Sequence, residues 1–337
     1  LEWAVMRFLG IVALLLGLCL VARAESLNTV VQSVDGRGDS ERQQALQQGL
    51  RDMLVRLSGK QQVLDQPVTE QALAQLDRWV TRYDYDGDNL VVRYDTRGLM
   101  DFMASEGASV WGFPRPQVLI WLVDQGAGRG ELVAGDHALR ETLVGEARRR
   151  GLSLVVPEWD SQDRSAVTLA DIRGRFDGQL LAASERYPHE LVVAAVMYRG
   201  SPTKVSWRVL QDQKTLDQGR EESASAGEAV KALVDAVTDQ LAQRYSVASS
   251  ASRGLTLLEV ERVDALADWH QLQGFLAGLS GMRSVSLVQV SDQGVTFGLD
   301  FGASDSQLRS LLELSRQLRP CPDDAVAGPQ WRYCWRS

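Results

Sequence analysis

The chain has 337 residues, 44 acidic against 36 basic side chains and a formal net charge of −8. That balance offers no basic footprint for phosphate binding and excludes nucleic acid as a partner class. At this length two or three domains are expected.

The first residues, LEWAVMRFLGIVALLLGLCLVARAES, combine Arg7, an apolar run from Phe8 to Val21 and the small-residue pattern Ala22-Arg23-Ala24. This is the signature of a cleavable secretory signal peptide over 1–24, with Met6 as the alternative start to Leu1. The run is too short and too soon broken by Arg23 to span a membrane. Leu18 before Cys19 departs from the small residue that lipid attachment requires. No later stretch reaches transmembrane length, so the expected mature protein is exported and periplasmic, with no membrane span after cleavage.

Residues 25–106 read as β-α-α-β-β-α. A strand over Leu27 to Val34 precedes a long helix whose Ala45, Leu46, Leu50, Met53, Leu54 and Leu57 recur at three and four residues, and Gly59 ends it. A shorter helix spans about Thr69 to Leu76. The strand-like runs RWVTRYDY and NLVVRYD flank DYDGDN, and a last helix covers about Gly98 to Ser105. DYDGDN sets carboxylates at alternate positions, as a calcium loop does. Yet its sixth and twelfth places, Asn89 and Asp95, lack the Gly and Glu of an EF-hand, so a tight hairpin turn at Asp86-Gly87 is the reading.

Gly and Pro mark 107–116 as a linker. The central module, 117–245, opens on the apolar run QVLIWLVD, a strand buried on both faces. A helix around His137 to Arg150, ended by Gly151, and the strand LSLVVPE complete a β-α-β unit that predicts a parallel pair. A helical region to Tyr187 follows. Then come the strand LVVAAVMY, the strand from Val205 to Val209, a weak strand near Leu216 and a helix from about Gly227 to Tyr245. SVASSASRG, 246–254, is a second linker. Residues 255–337 read as β-α-β-β-α-β, a ferredoxin-like plait whose last strand is WRYCW. The fold class is therefore α/β and α+β in three small modules.

Cys321 and Cys334 are the cysteines left after leader removal, and in an oxidising compartment they predict a disulfide. Two thiols without a nearby His fall short of a zinc site, and no metal or cofactor is expected.

Candidate catalytic motifs are sparse. Gly38-Asp39-Ser40 echoes an esterase block, but no D-x-x-H stretch accompanies His137, His189 or His270, and Ser40 with Gln43 reads as a capping box. The Gly126-Ala-Gly-Arg-Gly130 loop follows a strand, yet its helix starts too late to cradle a phosphate. The acidic pairs Glu158 with Asp160 and Glu221-Glu222 read as solvated charge. Among the tryptophans, Trp111 with Phe113 in the first linker, and Trp331, Tyr333 and Trp335 in the tail, are the candidate partner-binding residues.

The stretches LQQGLRDMLVRLSG, RPQVLIWLVDQ, SERYPHELVVAAVMYRG and VTDQLAQRYSV resemble the proteobacterial domain-of-unknown-function family 2066 over nearly all of the mature chain. More distantly, the first two modules are similar in pattern to flagellar assembly protein T and to the amino-terminal domain of TolB-like proteins. The resemblance implies an exported envelope protein that docks on others. The expected function is a non-enzymatic periplasmic adaptor whose partners are other envelope proteins. The alternatives are a peptidoglycan or glycan binder and, behind it, a hydrolase.

Overall fold

The computed structural model describes residues 27–126, 128–248, 255–291, 294–315, 317–321 and 331–336. The expected signal peptide, 1–24, and most of the second linker, 249–254, lie outside the described residues. Helices and strands are mixed throughout, as the α/β and α+β reading expects. No described helix is long and apolar enough to cross a membrane.

The first module is built on strand β1 (Thr29–Ser33), helix α1 (Asp39–Ser58), the short helices α2 (Pro67–Leu73) and α3 (Leu76–Trp79), strands β2 (Val80–Asp86) and β3 (Asn89–Tyr94), and helix α4 (Thr96–Ser105). Helix α1 lays its apolar stripe, including Leu50, Met53, Leu54 and Leu57, on the inner face of the antiparallel sheet β1-β3-β2, which contributes Val30, Leu90 and Val92. DYDGDN is the hairpin between β2 and β3. Its turn is centred one residue later than expected: Asp86 pairs with Asn89, and Gly87 takes the positive φ of +59°.

One local expectation fails. Ser40 does not cap α1; the N-cap is Gly38, whose backbone is extended and which offers no side-chain bond. The helix opens one residue before Ser40, and Asp39 and Glu41 supply negative charge to its first turn instead.

The central module is a sheet covered on both faces. Strand β5 (Gln117–Gln125) lies parallel to β8 (Leu191–Tyr198) and to the short β7 (Ser153–Val155). Strands β9 (Thr203–Gln211) and β10 (Lys214–Ser223) extend the sheet antiparallel, and β6 (Glu131–Leu132) pairs with the end of β5. The parallel pair expected of the β-α-β unit is thus present. Helices α5 (Arg140–Arg150) and α9 (Ala226–Tyr245) pack on one face. Helices α6 (Ser161–Ala166), α7 (Leu169–Gly174) and α8 (Asp177–Ser184) cover the other. Double coverage explains why QVLIWLVD and LVVAAVMY are apolar without alternation.

The third module contains β12 (Leu255–Glu261), α10 (Leu266–Gly278), β13 (Met282–Ser291), β14 (Gly294–Phe301), α11 (Asp305–Glu313), the short β15 (Leu318–Pro320) and β16 (Arg332–Trp335). The sheet order β13-β14-β12-β16 matches the strand order of the expected ferredoxin-like plait, but the direction of the last strand departs from it. The short β15 follows α11 at the sheet edge and the chain then turns back, so β16 runs parallel to β12 where a plait has an antiparallel strand. Cys321 and Cys334 form the expected disulfide. It ties the chain after β15 to β16.

Both expected linkers are ordered where described, and they pair with each other. Strand β4 (Ser109–Val110) runs antiparallel to β11 (Val247–Ala248), with Val110 opposite Val247. The side chains of Val110, Trp111 and Val247 are buried. One apolar core runs from Trp111 through the central sheet and α9 into Leu258, Phe297 and Leu308 of the plait. The modules are therefore joined by buried contact as well as by chain.

Candidate functional site

Among the described residues, two places gather polar side chains from more than one module: the junction around the paired linkers, and a cleft between the central module and the plait.

At the junction two helix C-termini converge. Helix α1 leaves orphan carbonyls at its end, and these are met from outside its own module. The backbone N–H of Trp111 donates to Leu57 O at 2.7 Å. Arg115 donates to Arg56 O at 2.7 Å, to Gly151 O beyond the end of α5 at 2.8 Å, and to Trp111 O. Its guanidinium lies over the Trp111 ring, 4.4 Å from the centroid. Burial and the neighbouring Arg56 push the Arg115 pKa down, while the helix-end carbonyls supply the negative ends of two dipoles.

Arg150, fully buried, donates to Gly59 O at 2.7 Å and pairs with Asp235 at 2.5 Å and Asp239 at 2.6 Å on α9. Arg148-Arg149-Arg150 reads in sequence as charge complementing its own helix dipole. Arg150 instead points across to α1 and α9. Gly59 has φ +73°, and a Cβ there would meet Ala242 and the Trp111 ring. The turn therefore demands glycine twice, for its handedness and for the close approach of α9. On the far side, the Ser280 N–H and hydroxyl both donate to Phe113 O at 2.7 Å, which fastens the first linker to the plait.

The cleft has a volume of about 310 Å³. Glu185, Tyr187, His189 and Glu190 line it from the segment between α8 and β8, Gln211 and Asp212 from the β9–β10 turn, and Glu313 and Arg319 from the plait. Asp212 and Gln213 both have positive φ, +45° and +66°, so the hairpin turn that carries Asp212 bends in the left-handed region. Arg319 bridges to Asp212 at 3.0 Å across the module boundary. The Tyr187 hydroxyl is committed elsewhere: it donates to Asp163 at 2.6 Å, and burial with that carboxylate raises its pKa to about 12. Glu190 accepts the Gln117 N–H at 2.7 Å. Four carboxylates against one arginine make the cleft a surface for cationic groups.

Of the candidate docking residues, Trp111, Trp331, Tyr333 and Trp335 are all buried, and Phe113 alone is open, at 52% exposure. The alternation of WRYCW does place Trp331, Tyr333 and Trp335 on one face, but it is the face packed under α11. Tyr333 sits opposite Val260, and Trp335 opposite Leu318. Those four side chains hold the core together and offer no surface to a partner. Trp79, Trp121 and Trp207 are likewise buried.

The motifs with candidate chemistry resolve individually. His137 lies near Asp124, Nε2 to Oδ2 3.4 Å, and its Nδ1 accepts the Leu139 N–H at 3.2 Å. Both ring nitrogens are engaged, and Arg199 also donates to Asp124. His189 Nδ1 donates to Tyr187 O at 2.8 Å, and His270 stands edge-on to Trp269. Ser40 is exposed in the first turn of α1. The described part of the glycine loop, Gly126 and 128–130, lies between the antiparallel strands β5 and β6. Arg186 donates to both Glu158 and Asp160, and Asp160 caps α6 through the Asp163 N–H. That acidic pair is therefore partnered rather than simply solvated. Sequence reasoning gave Arg150 only a place at its own helix end and did not single out Arg115, Asp212 or Arg319, because an isolated arginine or aspartate does not announce a partner 36 to 107 residues away.

Comparison with known proteins adds little to this geometry. A family model described as a domain of unknown function, DUF8605, matches residues 22–112. That span takes in the first module and ends in the first linker. Among solved structures, the crystal structure of lipoprotein GNA1162 from Neisseria meningitidis is similar at 17% identity, over 39% of this chain and 99% of that chain, with a TM-score of 0.23. So low a score carries no argument about fold or function. No curated protein matches the chain. What the comparisons support is a stretch, 22–112, similar to a domain of unknown function.

Proposed function

We propose that the protein is a non-enzymatic adaptor of the cell envelope, which docks a partner on a composite surface that its modules form together. One observation carries the reading: the acidic cleft of about 310 Å³ is lined by both the central module and the plait, and exists only while the two are held in register. The Arg319–Asp212 bridge and the shared core keep them so. The export signal read at the amino terminus and the Cys321–Cys334 disulfide support an oxidising compartment.

The partner segment that suits the cleft is cationic, a basic loop or tail of another envelope protein. The tail residues Trp331, Tyr333 and Trp335 that motivated the glycan-binding alternative are buried, which favours the adaptor reading.

The test is a photo-crosslinking residue placed at Glu185 in intact cells. The adaptor reading expects one defined envelope protein in the crosslinked product, lost when Glu313→Lys reverses the charge of the opposite wall. A spread of unrelated neighbours, unchanged by that substitution, contradicts it.

A further inference from the structure

Strand β13 is a sheet edge without the usual defences. Exposed edges invite pairing with other chains, and natural proteins blunt them with charge, proline, shortness or cover. Among the described residues the other sheet edges are blunted. β2 carries Arg82, Asp84 and Asp86, and β10 carries Lys214, Asp217, Arg220, Glu221 and Glu222. β6 and β7 are two and three residues long, and β15 has three residues and ends in Pro320. Even the five-residue β1 has Arg56 hydrogen-bonded to the carbonyls of Leu27 and Thr29.

β13 has ten residues and no charge from Ser284 to Ser291. It terminates its sheet, and Leu287, Val288 and Val290 are 50%, 53% and 66% exposed. Leu287 and Val290 pair with Phe297 and Val295 of the buried, helix-covered face. A register shift between Leu287 and Gln289 turns Val288 to the opposite face, beside Gly298 and Leu255. Leu255 and Leu257, also exposed, continue that apolar strip onto β12. The edge is thus apolar above and below its own plane.

We infer that β13 pairs edge to edge with β13 of a second copy, joining two plaits into one continuous sheet. The occupant follows from charge. A strand that covers this edge has to be extended, uncharged over the paired stretch, apolar on both faces and at the end of its own sheet, and among the described strands β13 itself meets these conditions from Ser284 to Val290. Two chains of net charge −8 repel through most of their surfaces, and the neutral edge is where they approach without opposing charges. Antiparallel pairing about a two-fold axis uses each edge once and closes as a dimer. Extension into a fibre is blocked because the opposite end of the sheet is β15, short and ended by Pro320. The inference stands apart from the adaptor reading, since either can hold without the other.

The test is sedimentation equilibrium of the protein beginning after Ala24, over a range of concentrations, with Val288→Lys and Val290→Lys as variants. Both positions are exposed, so both variants should keep the native circular dichroism. The expected result is a concentration-dependent dimer whose dissociation constant rises at least about tenfold in each variant, since a lysine puts a charge into an apolar strand edge and the two-fold brings the lysine of the second copy to the same edge. In parallel, β13 amides of the wild type should exchange more slowly as concentration rises. A protein that is monomeric throughout with no such protection, or a dimer indifferent to both lysines, overturns the inference.

Discussion

Arg150 and Gly59 are 91 residues apart in sequence, and the guanidinium of the first donates to the carbonyl of the second at 2.7 Å in a fully buried setting. The bond links the end of the first module's long helix to the central module, and Asp235 and Asp239 balance the charge. With Arg115 between the ends of α1 and α5 and the two linkers paired as β4 and β11, it makes the three modules one body.

Removing one partner of a buried ion pair leaves the other uncompensated, at a cost of about 3–5 kcal/mol. Arg150→Ala is expected to lose that much in urea unfolding. Arg150→Lys keeps the charge but not the fork that reaches Gly59, Asp235 and Asp239 together, and should fall between. A loss below about 1 kcal/mol in Arg150→Ala would show that the bond is incidental.

Gly59→Ala adds a methyl group toward Ala242 and Trp111 at a residue with φ +73°. The conformational cost of about 1 kcal/mol is joined by overpacking of about 1–3 kcal/mol. Gly107→Ala, at φ +78° with nothing within 4 Å, should pay the conformational part alone. Thermal unfolding of the two variants separates the contributions, and equal shifts would contradict the packing at Gly59.

The disulfide closes a loop with a sequence separation of 13, which by loop entropy contributes about 3 kcal/mol. Cys334→Ser is expected to lose about that amount and to release β16 first, read as faster amide exchange at Tyr333 and Trp335. Unaltered exchange there would show that the strand is held by β12 alone.

The pH dependence has two arms. Burial alone would raise the pKa of Asp235, but hydrogen bonds from Lys231 and Arg150 and the charge of Arg149 overcome it and hold the group below its ordinary value. Its stabilisation is then complete above the unfolded value of about 3.9 and is lost as pH falls below that. Burial raises Tyr245 to about 12, so its contribution is complete below about pH 10 and is lost as pH climbs from there toward 12. Asp235→Asn should flatten the acid arm of a stability-against-pH curve and Tyr245→Phe the alkaline arm. The opposite assignment would refute both.

Much of the architecture was legible because it is local. The stripe of Leu50, Met53, Leu54 and Leu57, the unbroken apolar QVLIWLVD and the opening β-α-β-β-α of the third module each follow from side-chain period or from burial on two faces, whereas the short β15 and the reversed direction of β16 do not. The hairpin at Gly87 and the Cys321–Cys334 bridge rest on equally short-range chemistry. The junction was not legible. Val110 is read as linker because Gly and Pro surround it, and only its pairing with Val247 makes it a strand. Trp111 looks like an exposed anchor until Leu57, Gly59 and Arg115 close around it. Ser40 with Gln43 has the spacing of a capping box, yet α1 opens at Asp39, so position rather than residue type decided the cap. The unguarded β13 edge becomes visible only when the sheet order shows which strand is last.

The central claim is that the paired linkers and buried arginines make three modules unfold as one. Differential scanning calorimetry of the protein after Ala24 tests it most directly. A single transition with calorimetric and van 't Hoff enthalpies in agreement, splitting or broadening in Arg150→Ala, is the predicted result. Two or three separable transitions in the wild type, unmoved by that substitution, would contradict it.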